Sequence, residues 1–260
     1  MTLSILEQAA AHAAYLRTGP LRKASALLGY SPNTIKKYVL QEGTDVHEQV
    51  RVSKVLSTDQ RLIGLYVGLW MGDGTQYVDG TSYTIKFCCH ITQKRLAKII
   101  QKTVEELFGV VPHLCVEKNH NRQYVKFQSK FVYNWITRYT AFTSKKKTHT
   151  VRLHSKQFSE DFLDGCLLGL VLSDGYLKKT FAFNVVSLEL ARNVFDMLVE
   201  LGLTPRTYIH DRTKWGWSDL HMVSLRVADT RILEQYLDNI VKKLGADSFS
   251  ALKYNEPARI

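Results

Sequence analysis

Between Leu62 and Gly74 the chain reads LIGLYVGLWMGDG, apolar at almost every position except for glycines spaced four apart. The same pattern returns at Gly165–Gly175 as GCLLGLVLSDG. Gly64, Gly68, Gly72 and Asp73 become Gly165, Gly169, Ser173 and Asp174, each displaced by 101 positions. Residues four apart share one face of a helix, and a glycine inside a helix costs about 1 kcal/mol relative to alanine. A column of small residues is therefore expected where another helix backbone must come close, and two such columns in one chain predict that the two helices pack on each other.

Similar periodicities follow each motif. Tyr83, Ile85, Phe87 and Cys89 alternate with Thr84, Lys86, Cys88 and His90, predicting a strand with one apolar face. Lys94–Phe108 places Leu96, Ile99, Ile100, Val104 and Leu107 on one side of a helix that Gly109 ends. Val111–Glu117 and Arg122–Gln128 predict a hairpin across the turn KNHN, and Phe131–Thr140 a closing helix. The second half repeats the order. Its expected elements are a motif helix at Glu160–Ser173, a strand at Thr180–Ser187 and a helix at Leu188–Leu201, then a hairpin of Pro205–Asp211 with Asp219–Val227 and a last helix at Thr230–Leu244. The fold class expected is α+β, with two pseudo-symmetric αββαββα halves.

Ahead of the repeats, residues 1–41 predict three short helices, with Gly29 closing the second and Ser31 and Pro32 opening the third. KASALLGYSPNTIKKYV resembles a helix-turn-helix, a small all-α module whose last helix would offer Asn33, Thr34, Lys36 and Lys37 to a DNA groove. The expected divisions are this module at 1–41, a polar linker at 42–57 that leaves Ser57 or Thr58 to cap the first motif helix, and a first half at 58–141. An inter-half linker at 142–157, a second half at 158–245 and a tail at 246–260 complete the chain.

YVGLWMGDG (Tyr66–Gly74) and LLGLVLSDG (Leu167–Gly175) resemble the LAGLIDADG motif, and two copies at this separation resemble a single-chain LAGLIDADG homing endonuclease over roughly residues 57–245. Both copies depart from the pattern at its first acidic position, where Met71 and Leu172 stand; both keep the final aspartate. The resemblance implies a saddle of two sheets on double-stranded DNA, and a site-specific double-strand break in a long asymmetric target with short 3′ overhangs. Asp73 and Asp174 would then hold two or three Mg²⁺ (Mn²⁺ being possible), helped by the carbonyls of Gly72 and Ser173. Packed side by side, two such carboxylates repel, and a divalent cation relieves the repulsion while serving catalysis. Gln93 is the polar residue expected to organise water, with Ser187 as its weaker counterpart. Lys126 is expected as a basic catalytic partner, as are Lys130 and Arg226.

Composition shifts the picture toward a polyanion partner. The net charge is +11, and it is uneven: Lys and Arg against Asp and Glu number 5 to 4 in residues 1–50, 17 to 6 in 51–154 and 13 to 14 in 155–260. Expected DNA readers are Lys86, His90, Arg122, Tyr124 and Lys126 in the first half, and Arg206, Tyr208, His210, Arg212, Ser224 and Arg226 in the second. Lys145, Lys146 and Lys147 in the linker are expected at phosphates, and Trp215 and Trp217 either at DNA or packed. The four cysteines form no CxxC pair and read as buried thiols of a reducing intracellular compartment. No signal peptide is evident, and the apolar run after Arg61 meets Asp73 before the roughly 20 residues a membrane span needs. The expected protein is a monomer with no membrane and no small-molecule cofactor. A non-cleaving LAGLIDADG/helix-turn-helix transcriptional regulator and an RNA maturase remain as alternative roles for the same scaffold.

Overall fold

The computed structural model describes residues 14, 21–32, 59–80, 82–143, 146–155, 157–245 and 248–254. The chain divides into two compact units, residues 1–57 and 58–260. In the first unit, helix α1 (Leu21–Leu28) buries Ala24 and stops at Gly29, whose φ of 72° suits a residue without Cβ. The Gly29 N–H returns to the Ser25 carbonyl at 3.0 Å, and the Ser25 hydroxyl donates to the Tyr30 carbonyl. The rest of the expected helix-turn-helix, with Asn33, Thr34, Lys36 and Lys37, lies outside the described residues, as does Lys145.

The second unit runs as two matching halves. The first half comprises helix α2 (Gln60–Asp73), strands β1 (Gly74–Asp79) and β2 (Ser82–His90), helix α3 (Lys94–Phe108), strands β3 (His113–Glu117) and β4 (Arg122–Gln128), and helix α4 (Lys130–Trp135). A connection follows with strand β5 (Thr140–Ala141), helix α5 (Lys147–Thr150) and strand β6 (Arg152–Leu153). The second half comprises helix α6 (Glu160–Ser173), strands β7 (Gly175–Leu177) and β8 (Phe181–Val185), helix α7 (Leu188–Glu200), strands β9 (Arg206–His210) and β10 (Leu220–Leu225), and helix α8 (Val227–Lys243). A last helix, α9 (Phe249–Tyr254), comes after it. Each half carries one antiparallel sheet, ordered β1-β2-β4-β3 and β7-β8-β10-β9, so the α+β class and the doubled αββαββα order stand.

At the centre α2 and α6 touch backbone to backbone. A Cβ built on Gly64 would fall 2.0 Å from the Phe162 carbonyl oxygen, and one on Gly68 2.1 Å from that of Cys166. From the other side, Gly165 would strike the Arg61 carbonyl and Gly169 the Leu65 carbonyl at 2.5 Å. Any side chain at these positions would force the helices apart. Around this axis Tyr66, Phe87, Phe108 and Trp135 pack edge to face in the first half. At the helices' N-terminal ends Arg61 pairs with Asp161 and lies 3.7 Å from Asp164, joining the halves there as well.

Four expectations are corrected. Asp59, not Ser57 or Thr58, caps α2, its carboxylate accepting the Arg61 N–H at 2.8 Å. The polar stretch Thr75–Ser82, whose composition predicts a turn-rich lead into the sheet, is mostly strand, because β1 pairs with β2 along its whole length. Thr140 leaves the closing helix to pair with Leu153 in a two-stranded sheet. The expected tail folds: α9 buries Phe249, Ala251 and Leu252, and Asp238 of α8 accepts the Phe249 N–H at 2.7 Å.

Candidate functional site

Asp73 is the last residue of α2 and Asp174 the C-cap of α6, its N–H bonded to the Leu170 carbonyl at 3.0 Å. The glycine column therefore also fixes where the acids stand. At its end Gly72 leaves room for Ser173: a Cβ on Gly72 would lie 2.0 Å from the Ser173 Oγ and 2.8 Å from the Asp174 Oδ2. The Ser173 hydroxyl is turned back onto its own helix, donating to the Gly169 carbonyl at 3.1 Å or the Leu170 carbonyl at 3.0 Å.

Two carboxylates at two adjacent helix C-termini make a strongly negative, partly desolvated spot, since each helix adds partial negative charge there. Burial, and after it the charge of Asp174, pushes the Asp73 carboxyl up to about 7, with Lys253 and Lys147 acting in the opposite sense. Burial raises Asp174 too, against the pull of the same lysines. The Cys88 thiol is raised by burial first and by the charge of Asp73 next, which places β2 beside that acid.

The two lysines are the site's unforeseen members. Lys147, expected in a solvated phosphate-binding run, is instead drawn inward by α5. Its Nζ donates to the carbonyls of Trp70 at 2.7 Å, Gly72 at 3.2 Å and Gly74 at 2.5 Å, and lies 4.7 Å from the centre of the Trp70 ring. Burial lowers it to about 8, opposed by Asp174 and Asp73. Lys253, in the stretch expected to be a tail, mirrors it: its Nζ donates to the carbonyls of Leu172 and Ser173, the latter at 2.7 Å. Burial lowers it as well, with Asp73 and Asp174 opposing. Each lysine follows the end of one half and serves the motif of that half.

The other expected catalytic groups are placed differently. Gln93 closes the turn between β2 and α3, its Oε1 accepting the His90 N–H at 2.8 Å. Ser187 is fully buried and caps α7, accepting the Leu190 N–H and donating to the Val151 carbonyl at 2.8 Å, so its hydroxyl is committed to structure. Lys126 stands on β4 opposite Lys86 and His113. Lys130 is exposed, 5.7 Å from the Tyr83 ring centre, and Arg226 sits exposed at the start of α8.

Strand register sorts the expected readers. In the first sheet Lys86, His90, Arg122, Tyr124 and Lys126 share one face, opposite buried Ile85, Phe87, Val125 and Phe127. Tyr124 is a support on that face rather than a free group: it is 8% exposed, lies under the Lys86 ammonium at 3.8 Å and donates to Glu117 at 3.0 Å. His90 is exposed, its Nδ1 2.7 Å from the Thr92 hydroxyl. In the second sheet Arg206, Tyr208, His210 and Ser224 share one face, joined by Asn184 and Met222, which sequence reading passed over. Arg212 is held at the hairpin tip, its Nε donating to the Ser218 carbonyl at 2.9 Å. Beside it Trp215 and Trp217 are 52% and 63% exposed, so they do not serve as packing. Lys146 is exposed, with its carbonyl accepting from Thr150.

The residues present suit a hard divalent cation. The donors at the helix ends are two carboxylates raised by burial, Asp73 also by the charge of Asp174, with main-chain carbonyls beside them, and oxygen donors of this kind fit Mg²⁺ or Mn²⁺. Among the described residues no cluster of three or more His, Cys, Asp or Glu occurs, so such an ion would complete its shell with water and substrate oxygens. The Gly72 and Ser173 carbonyls each receive a lysine hydrogen bond and retain a second lone pair. No helix among the described residues is long and apolar enough to cross a membrane. All four cysteines are unpaired; Cys89 and Cys166 are buried as expected, whereas Cys88 is half-buried and Cys115 on β3 is exposed.

No family model matches the chain, and no curated protein matches it. Solved structures do. The homing endonuclease I-DmoI in complex with DNA and Ca superposes with a TM-score of 0.53 at 17% identity, over 70% of this chain and 91% of that one. Mesophilic variants of I-DmoI give 0.52 at 17% identity over the same shares. I-DmoI with DNA and Mn gives 0.52 at 16% identity, over 68% of this chain and 96% of that one. At this identity the likeness establishes the fold, and the repeated motif with its paired aspartates agrees with it: the chain has the single-chain, two-motif fold of the LAGLIDADG homing endonucleases.

Proposed function

We propose that the chain is a site-specific DNA endonuclease that hydrolyses one phosphodiester in each strand of a long asymmetric duplex. The observation that carries this reading is the pair Asp73 and Asp174, brought together at the touching ends of α2 and α6 with one inward-turned lysine on each side. A regulator that only binds DNA has no need of two desolvated carboxylates held against each other. The likeness to structures solved with DNA and with Ca or Mn supports the same partner and the same kind of ion.

Asp73 and Asp174 would hold the divalent ions, with the carbonyls of Gly72 and Ser173 as neighbouring donors. When bound, such ions polarise a phosphate, lower the pKa of water and neutralise the leaving oxygen. The chain's own groups do the rest. The polar sheet faces position the duplex, with phosphate contacts fixing place and base-edge contacts fixing sequence. Lys147 and Lys253 put positive charge beside the scissile groups at fixed positions, where charge developing in the transition state is stabilised without reorganisation. Both aspartates come from one chain, so a monomer suffices for a double-strand break.

The test uses supercoiled plasmids carrying inserts from a library of random duplex fragments. Protein with Mg²⁺ is expected to linearise a subset sharing one long sequence, and EDTA to abolish the linear product. Specific binding to such an insert without cleavage in Mg²⁺ or Mn²⁺ would contradict the reading and favour a regulator.

A further inference from the structure

The hairpin tips of the two halves share a backbone and differ in chemistry. Each is a 3-10 turn followed by one left-handed residue. Between β3 and β4 these are Lys118–His120 and Asn121 at φ 51°; between β9 and β10 they are Thr213–Trp215 and Gly216 at φ 70°. Trp215 therefore stands where the first half has His120, and Trp217 where it has Arg122. The first tip is polar and basic, while the second shows two indoles to solvent. Neighbouring exposed tryptophans on a rigid support mark a surface that is covered during function.

The support is rigid because its polar groups are used within the tip. Asp211 accepts from the Thr213 N–H at 2.8 Å and from the Thr213 hydroxyl at 2.6 Å. The Arg212 carbonyl receives the N–H groups of Trp215 at 3.0 Å and Trp217 at 3.3 Å. Cations flank both rings: Lys214 Nζ lies 4.3 Å from the centre of the Trp215 ring, and Arg212 Cζ 5.6 Å from that of Trp217. The Trp215 ring meets His210 edge to face at 5.9 Å, and His210 shares the polar face of the second sheet with Arg206 and Tyr208. The indoles thus continue that face. Flat apolar rings set among cations match a partner whose own flat rings lie between phosphates. An apolar protein patch would instead desolvate the two cations without pairing them.

We propose that Trp215 and Trp217 insert between base pairs of the target, and that this contact gives the charge-poor second half a hold on DNA that salt does not weaken. This rests on the reading above for its DNA partner and not for its chemistry. Stacking on an aromatic ring adds affinity without releasing counterions. Apolar wedges unstack a base step and bend the duplex, and pyrimidine–purine steps give way most easily. The tip therefore selects sequence through the deformability of a step rather than through hydrogen bonds to its bases.

The experiment selects binding sites from a library of random duplexes in Ca²⁺, scored by binding alone, with the full-length wild type and with Trp215→Ala/Trp217→Ala. Wild-type sites should share a TA or CA/TG step at one fixed place, and the variant's sites should lack it. On a wild-type site the variant should bind about tenfold or more weakly at low and high salt alike, with the slope of log affinity against log salt unchanged. Its melting temperature should stay within about 2 °C of the wild type. Phe at both positions should recover most of the affinity. The emission of the two indoles, isolated by subtracting that of the variant, should be quenched on binding. Unchanged affinity would overturn the inference. So would a loss with a flatter salt slope, which means phosphate contact, or a loss explained by a lower melting temperature, which means packing. Self-association of the free protein that the variant abolishes would overturn it too, with a second copy as the partner. These signatures without cleavage in Mg²⁺ would contradict the nuclease reading alone, and no specific site at all would overturn both.

Discussion

Lys147 and Lys253 face inward beside two carboxylates, Lys147 from a polar stretch with no periodicity and Lys253 from the short helix α9. Their ammonium groups satisfy carbonyls at the ends of α2 and α6 and balance the charge of Asp73 and Asp174. Lys147→Met and Lys253→Met are expected to lower the cleavage rate by about a hundredfold each, with DNA affinity changed by less than about threefold; gel-shift titration and single-turnover cleavage measure the two separately. A second expectation concerns pH. The folded-state pKa of Asp73, about 7, lies above its unfolded value near 3.8, so the folded protein binds this proton more tightly. The resulting stabilisation is complete below the unfolded pKa and is lost as pH rises through about 7. In EDTA, melting temperatures from pH 5 to 8 should fall for the wild type relative to Asp73→Asn, and Mg²⁺ should reduce the difference. A wild type that tracks the variant across that range would contradict the environment assigned to Asp73. The sequence shows the two acids through their repeated motif. It gives no such mark to the lysines, because their position depends on how α5 and α9 fold back onto the motif helices.

At the scale of elements, the helix pair decides whether both acids reach one place. Gly64, Gly68, Gly165 and Gly169 admit the facing backbone, and the spacing alone predicted that contact. Gly68→Ala places a Cβ 2.1 Å from the Cys166 carbonyl oxygen. Overpacking of this kind costs about 1–3 kcal/mol, and Gly68→Ala should lie at the upper end because backbone, not a flexible side chain, is struck. Urea denaturation should show the loss, and cleavage of both strands should fall together. The amphipathic helix Lys94–Phe108 was legible to its ends, since its apolar stripe and the left-handed Gly109 are local signals. The strand β1 was not, because only its pairing with β2 orders a polar sequence. Asn184 was passed over for the same reason: its place beside Asp174, with which it lines one cavity, comes from register and from the turn into β8, neither of which leaves a motif.

Across the whole molecule, the charge is unequally divided between halves of the same fold. The polar face of the first sheet carries Lys86, His90, Arg122 and Lys126, whereas the second offers Tyr208, Met222, Asn184 and Ser224 beside Arg206 and His210. Binding strength is therefore expected to come mainly from the first half and to be salt-dependent, as phosphate contacts release counterions. The double variant Lys86→Ala with Lys126→Ala should weaken binding and reduce the slope of log affinity against log salt by up to about two, while Met222→Ala should leave that slope unchanged. An equal slope change from both would contradict the division. The charge counts alone made this asymmetry visible before any coordinate, although not which lysines share a face.

In the proposed function Asp73 and Asp174 act as one composite site whose two acids are both needed for a double-strand break. The most direct measurement compares wild type, Asp73→Asn and Asp174→Asn on a supercoiled plasmid carrying a cleaved insert, in Mg²⁺, with binding to the same insert measured alongside. Both variants are expected to bind within about threefold of the wild type and to yield no linear product. Linearisation by either variant at the wild-type rate would contradict the composite site.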